Sequence, residues 1–165
     1  LQTINSICPS VPASLKWPND LMANNKKMGG ILLEADGPHA ILGCGINIKN
    51  APKILDSLVS STDISEYQSV LPEAKQLADC YLLNLENLYQ IWQECGPAPL
   101  LARWQDKSNI IGRNLTVQLC DRSITGICDA LEPDGRLNII DIDGNVHLIT
   151  VGDVVLMGEV NATNN

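Results

Sequence analysis

The chain is poor in the residues that would mark it for several common functions. It has two histidines, His39 and His147, at no ligand spacing, and six cysteines with no C-x-x-C among them. A zinc site is therefore not expected. No serine or cysteine has a histidine within sequence reach, so covalent catalysis has no support. Apolar runs extend over only a few residues, against the ~20 that cross a bilayer, so no membrane span is expected. No basic stretch leads into an apolar one, so no signal peptide is visible.

Basic residues are also scarce. Net charge is −8, from 11 Lys and Arg against 19 Asp and Glu. Residues 114–165 carry two basic and eight acidic residues, or −6, which leaves −2 for residues 1–113. An acidic C-terminal portion is the opposite of the basic stripe that a nucleic-acid surface requires. Hydrophobic residues make up 45% of the chain and mean hydropathy is near zero, which predicts a soluble globular protein. Most cysteines (Cys8, Cys44, Cys80, Cys95, Cys120, Cys128) lie among apolar residues and read as small hydrophobes in a reducing, cytoplasmic setting. Asn114-Leu115-Thr116 and Asn161-Ala162-Thr163 match glycosylation sequons, which carry little meaning without a secretion signal.

Punctuation divides the chain into two parts. Leu1–Cys8 reads as the end of a helix, stopped by Pro9 and Pro12. Leu15–Trp17, Leu21–Ala23, Met28–Ala35 and Ala40–Ile48 read as short strands of an antiparallel meander, with turns at Asn24-Asn25 and Asp36-Gly37. Residues 49–71 read as a loop. Pro72 opens a strong helix in which Tyr81, Leu85, Leu88 and Trp92 recur at core spacing and Gly96 is the stop. Leu100–Gln105 predicts a second helix, whose Trp104 is expected to bury against the C-terminal strands. From Asn114 the period becomes two, over Leu115–Cys120, Ile124–Leu131, Leu137–Ile142 and Val146–Val151, with a hairpin signal at Asp143-Gly144. That length and spacing suit a small barrel of SH3-like size. The expected domains are 1–112 and 113–165, ending in an Asn-rich, disordered tail.

Three short motifs could carry chemistry. In Lys16-Trp17-Pro18-Asn19-Asp20 the proline fixes a backbone angle and denies a ladder hydrogen bond. A carboxylate there could ligate magnesium, and the amide could orient a phosphate or sugar. Equally, Asn19 and Asp20 could bond their own backbone in a turn. Lys27-Met28-Gly29-Gly30 sets a lysine beside glycines that admit a ligand, yet Lys26 and Lys27 could as well be a solvated hairpin tip. Gly43-Cys44-Gly45-Ile46-Asn47 puts two glycines on one strand face, either as a flat strip for a ring or as a tight strand crossing. Asp141-x-Asp143-Gly144 lacks the further ligands of a calcium loop and reads as a turn.

In series, K-W-P-N-D, K-x-G-G-I-L and G-C-G-I-N-I resemble the central part of biotin protein ligases, the biotin–acetyl-CoA-carboxylase ligases. Order and separations agree, and the likeness continues through R-W-Q-D into the C-terminal strands. The resemblance implies an α+β fold: part of a class II synthetase-like mixed sheet with helices, followed by a small SH3-like β-barrel. It implies ATP-dependent formation of biotinyl-5′-adenylate, then transfer of biotin to a lysine of a biotin carboxyl carrier protein domain of acetyl-CoA carboxylase. Such a reaction rests on positioning and charge stabilisation, with no enzyme nucleophile.

Carried over by position, Lys27 would contact the biotin carboxyl end and the adenylate phosphate. Asn19 and Asp20 would serve ATP, Asp20 through magnesium, and Lys16 would support that strand end and the phosphates. Gly30, Leu32, Gly43 and Gly45 would offer backbone to the biotin pocket, and Asn47 would lie near the adenine. A lipoate-type acyl-adenylate ligase and a non-catalytic, ligase-like binding module are the alternative readings.

The residues before Lys16 do not carry the Arg/Gly-rich segment of these ligases, and Leu156-Met157-Gly158 stands where some members have an arginine. The family's optional N-terminal DNA-binding domain is not expected either. The expectation is a fragment that holds about half of an active site and is inactive alone. Calorimetric titration of this chain with biotin should then show no binding as tight as micromolar, and micromolar binding would overturn the expectation.

Overall fold

The computed structural model describes residues 1–52 and 60–156. Part of the expected 49–71 loop, Met157-Gly158, the Asn161 sequon and the Asn-rich tail lie outside the described residues. The elements are α1 (Gln2–Ile7), β1 (Ala13–Lys16), β2 (Asp20–Ala23), β3 (Lys26–Asp36), β4 (His39–Ile46), α2 (Ala74–Cys95), α3 (Ala98–Asp106), β5 (Asn114–Gln118), β6 (Ser123–Leu131), β7 (Leu137–Ile140), β8 (Val146–Ile149) and β9 (Asp153–Leu156). A 3₁₀ turn spans Ile64–Glu66.

The first sheet is a meander in the order β1-β2-β3-β4, antiparallel throughout its ladders. Asn24 and Asn25 both take positive φ, 46° and 62°, which the two-residue β2–β3 turn requires and asparagine tolerates. Gly37 does the same for β3–β4 at φ 58°. Ile4, Cys8, Val11, Leu21, Ala23, Met28, Ile64 and Leu77 form the core beneath this sheet.

The second sheet runs β8-β7-β6-β5-β9, again antiparallel. Alternate residues face inward along β6, as the period of two predicts. The period-two pattern ends at Val151 and does not reveal β9, a four-residue strand beyond Gly152 that pairs Leu156 with Leu115. Among the described residues the ladders leave β8 and β9 as the two edges, and no closed barrel forms among them.

Two residues from before the expected boundary at residue 113 enter the second core. Trp17 and Ile110 are buried with Leu115, Val117, Cys128, Leu137 and Ile139 in the second-sheet core, and Trp104 packs against the same cluster as expected. Burial pushes the Cys128 thiol up to about 12, as suits an inert core residue.

Two expectations fail on burial. The α2 stripe is not fully core: Leu77 is the helix's one buried residue, Tyr81 and Leu88 are half-buried, and Leu85 and Trp92 are exposed. Helical spacing reports which residues share a face, and α1 and α3 cover this one only in part. Likewise, three of the six cysteines (Cys44, Cys95, Cys120) are exposed, and all six are unpaired. The outer half of the β3–β4 hairpin is also uncovered, with Leu33 at 65% exposure. No helix among the described residues is long and apolar enough to cross a membrane.

A Cβ on Gly126 would run into the carbonyl of Ile140 and the Ile139 side chain. Gly126→Ala should therefore destabilise the chain by about 1–3 kcal/mol through overpacking. Urea denaturation checks this, and an unchanged midpoint would remove the steric account.

Candidate functional site

Two of the three motifs meet at the start of the β2–β3 pair. Asp20 faces Gly30 across the ladder and Leu21 faces Gly29, but Met22 pairs with Lys27, so the register shifts by one residue. Met28 is the extra residue, a β-bulge whose side chain is fully buried in the first core. Without it, strict alternation would put Lys27 and Gly30, three apart, on opposite faces. With it they share one. Lys26 turns the other way and pairs with Glu66 at 3.2 Å, so the two lysines have separate settings.

Lys27 Nζ forms an ion pair with Asp20 Oδ1; the carboxylate side is mostly buried and the ammonium side half-exposed. Among the described residues, Asp20 Oδ1 meets no donor besides Lys27. Asn19 is held twice to β3: its Nδ2 donates to the Ile31 carbonyl at 2.6 Å, and its own carbonyl accepts from Ile31 N–H at 2.9 Å. The Asn19 carbonyl, the Asp20 carboxylate and the Lys27 stem converge over Gly30, each 3.6 Å from where a Cβ would sit. Lys16 faces Asp20 across β1–β2 and is buried.

The glycines play different parts. Gly30 pairs with Gly45 and Leu32 with Gly43, so this face of the hairpin has a strip without large side chains at its inner end. A Cβ on Gly45 would meet nothing within 4 Å, whereas one on Gly29 would run into the Gly45 carbonyl. Gly29 is thus required by close strand approach, and Gly45 leaves open space. Asn47 is engaged structurally: its Nδ2 donates to the Thr62 carbonyl at 3.0 Å and its N–H to the Met28 carbonyl at 2.8 Å.

Sequence reasoning misses the bracket behind Lys27. Lys27 N–H donates to Ser60 and its carbonyl accepts from Thr62 N–H, which places residues 60–62 alongside β3. Buried Asp63 anchors this segment by accepting from Ser65 Oγ (2.5 Å), Ser65 N–H (3.0 Å) and Ala51 N–H (2.8 Å). Those bonds, the Ser65 hydroxyl first and the Ala51 N–H next, hold its carboxyl below the usual range. A short polar run, Ser60–Asp63, is the one signal of it in the sequence.

Asp20 is the cluster's one carboxylate and the residue that would hold a magnesium ion together with substrate phosphates; here it pairs with Lys27, and among the described residues no three His, Cys, Asp or Glu gather to hold a metal ion by themselves. Asp141 forms a turn as expected, accepting from Asp143 N–H, Asn145 and His147.

Residues 2–47 match the family model for the Biotin/lipoate A/B protein ligase family. The chain is 32% identical over 161 residues to the biotin--[acetyl-CoA-carboxylase] ligase of Mycobacterium tuberculosis, covering 94% of this chain and 59% of the relative. It is 28% identical over 148 residues to the bifunctional ligase/repressor BirA of Escherichia coli, covering 86% and 46%. It thus spans between 46% and 59% of the length of these two relatives. In fold it is similar to the biotin protein ligase of Aquifex aeolicus, with a TM-score of 0.80 at 24% identity, over 94% of this chain and 68% of the other. A structure of that ligase in complex with biotin and ATP matches with a TM-score of 0.79 at 24% identity, over 94% of this chain and 66% of the other.

A carboxyl whose folded pKa is lowered stabilises the fold above its unfolded pKa of about 3.9, and that contribution is lost as pH falls through the folded value. Asp63→Asn should therefore lower the urea midpoint at neutral pH. Its deficit against the parent should shrink as both are moved below about pH 4. A deficit that stays constant with pH would show that Asp63 is not held as a carboxylate.

Proposed function

We propose that this chain belongs to the Biotin/lipoate A/B protein ligase family, whose model residues 2–47 match, and that the protein is a biotin–protein ligase acting with ATP. One observation carries the reading: Lys27, Asp20, Asn19 and Gly30 converge on one strand face at the inner end of a glycine strip. The chemistry named for the relatives supports biotin over lipoate, since the M. tuberculosis relative is a biotin--[acetyl-CoA-carboxylase] ligase.

In the first step a biotin carboxylate oxygen attacks the α-phosphorus of ATP and pyrophosphate leaves. In the second, a lysine amine of a biotin carboxyl carrier protein attacks the acyl carbon and AMP leaves. Both steps need positioned charge and no enzyme nucleophile. Half-exposed Lys27 is the cation available to the biotin carboxylate and the adenylate phosphate. Its pairing with Asp20 fixes the ammonium in place before substrate arrives, so little reorganisation accompanies the reaction. Asn19 and Asp20 lie on the ATP side, and buried Lys16 supports the strand end behind them. Gly30, Leu32, Gly43 and Gly45 offer backbone to the biotin ring system. Asn47 braces the end of this strip on the adenine side. Magnesium, which offsets the charge of the ATP phosphates, would be held by Asp20 together with those phosphates.

We assign residues 1–112 to the catalytic domain and 113–165 to an SH3-like domain, which the burial of Trp17 and Ile110 in the second core ties together. The reaction is proposed for the whole protein, and the partner is the carrier domain whose lysine it modifies.

In a preparation that forms biotinyl-adenylate, Lys27→Ala should slow that step by about 100-fold or more, the scale seen when a preorganised charge-stabilising donor is removed. Pyrophosphate release with biotin and ATP measures it. Near-normal release would take Lys27 out of this role.

A further inference from the structure

We propose that Trp17 is a positioning residue that ties the ATP-side loop to the second sheet, so that the β6–β7 turn sets where Asn19 and Asp20 stand. This rests on the ATP-side role assigned to those two residues.

Trp17 belongs by sequence to the first sheet, directly after β1 and two residues before Asn19. By packing it belongs to the second. It is 5% exposed and clusters with Ile110, Leu115, Cys128, Leu137 and Ile139, a core separate from the one that holds Ile4 and Met28. Its indole Nε1 donates to the Gly135 carbonyl at 3.2 Å, across 118 residues of sequence. Gly135 is a fixed point: it closes the Glu132–Gly135 turn with its N–H on the Glu132 carbonyl at 2.8 Å and sits at φ +84°. An alanine there would be strained, and the carbonyl would move.

A second connection runs parallel to the first. Leu15 N–H donates to the Lys107 carbonyl and Asn109 N–H donates to the Leu15 carbonyl, at 2.9 and 3.0 Å. Gln105 Oε1 accepts from Leu131 N–H at 2.8 Å, which joins the end of α3 to the end of β6. The stretch Leu15–Trp17 is therefore fixed from the second-sheet side, while Asn19 and Asp20 are fixed from β3. Only Pro18 lies between. A shift of Gly135 has little slack to absorb it before Asn19, and displacements of about 1 Å are enough to change a positioned reaction severely.

Hydrogen exchange on the whole chain tests this without relying on activity. Trp17→Phe keeps an aromatic ring in the core and removes the indole donor. The amide of Ile31, which donates to the Asn19 carbonyl, should exchange about five- to tenfold faster, the worth of one hydrogen bond, while amides of β5 and β6 stay protected. Unchanged exchange at Ile31 overturns the proposal. If Trp17→Phe loosens both sheets alike, Gly135→Ala decides: faster exchange at Ile31 upholds it and none overturns it. In a preparation that makes biotinyl-adenylate, Trp17→Phe should raise KM for ATP about five- to tenfold and leave KM for biotin alone. An equal rise in both overturns the positioning role. If the whole protein with Trp17 intact makes no adenylate, the functional reading fails, and the exchange result still decides the link.

Discussion

A single extra residue in β3 governs the geometry on which the candidate site depends. Met28 has no partner of its own in the β2 ladder, and its side chain goes into the core instead. The slip of one residue lets an odd spacing in sequence become a shared face in space, so the ammonium of Lys27 reaches the carboxylate that faces Gly30. Every further feature depends on that phase. Lys26 is sent to Glu66, Gly29 is pressed against the Gly45 backbone, and the strip at Gly30 and Gly45 stays open. Burial of the Met28 side chain makes the slip favourable, since a regular ladder would have to expose either the thioether or the lysine stem.

The meander, the α2 and α3 helices and most of the second sheet could be read from the sequence because each rests on local rules. Asn24-Asn25, Asp36-Gly37 and Asp143-Gly144 force turns, Gly96 stops α2, and alternation marks β6. What could not be read depends on partners far away in sequence. The bulge at Met28 needs the β2 register, and the bracket at Ser60–Thr62 needs β3 beside it. The helical stripe of α2 gives its face correctly and its environment only in part, since periodicity cannot say how much of a face is covered. The motif residues come out unevenly. Lys27, Asp20, Asn19 and Gly30 converge, whereas Asn47 is occupied in holding Thr62.

Two sheets of different character are joined by residues of the first part that bury in the core of the second. Residues 114–165 carry −6 of the net charge of −8, and the core cluster of the second sheet is apolar. Trp17 and Ile110 enter that interior from the other side of the boundary near residue 113, so the two parts are packed together there. A loop that starts in one core and ends on the strand of another has few conformations open to it. For a reaction run by placement, such restriction is a contribution to rate.

The three tryptophans stand in three surroundings, and this gives the chain a built-in optical map. Trp17 is enclosed in the second core, Trp104 is partly covered at its margin, and Trp92 on α2 stands half in water, stacked obliquely with Tyr89 at 5.6 Å. A water-soluble quencher such as iodide extinguishes Trp92 first. The blue-shifted emission that survives then comes from the seam between the sheets, so the residual spectrum is a direct optical gauge of how tightly they are joined.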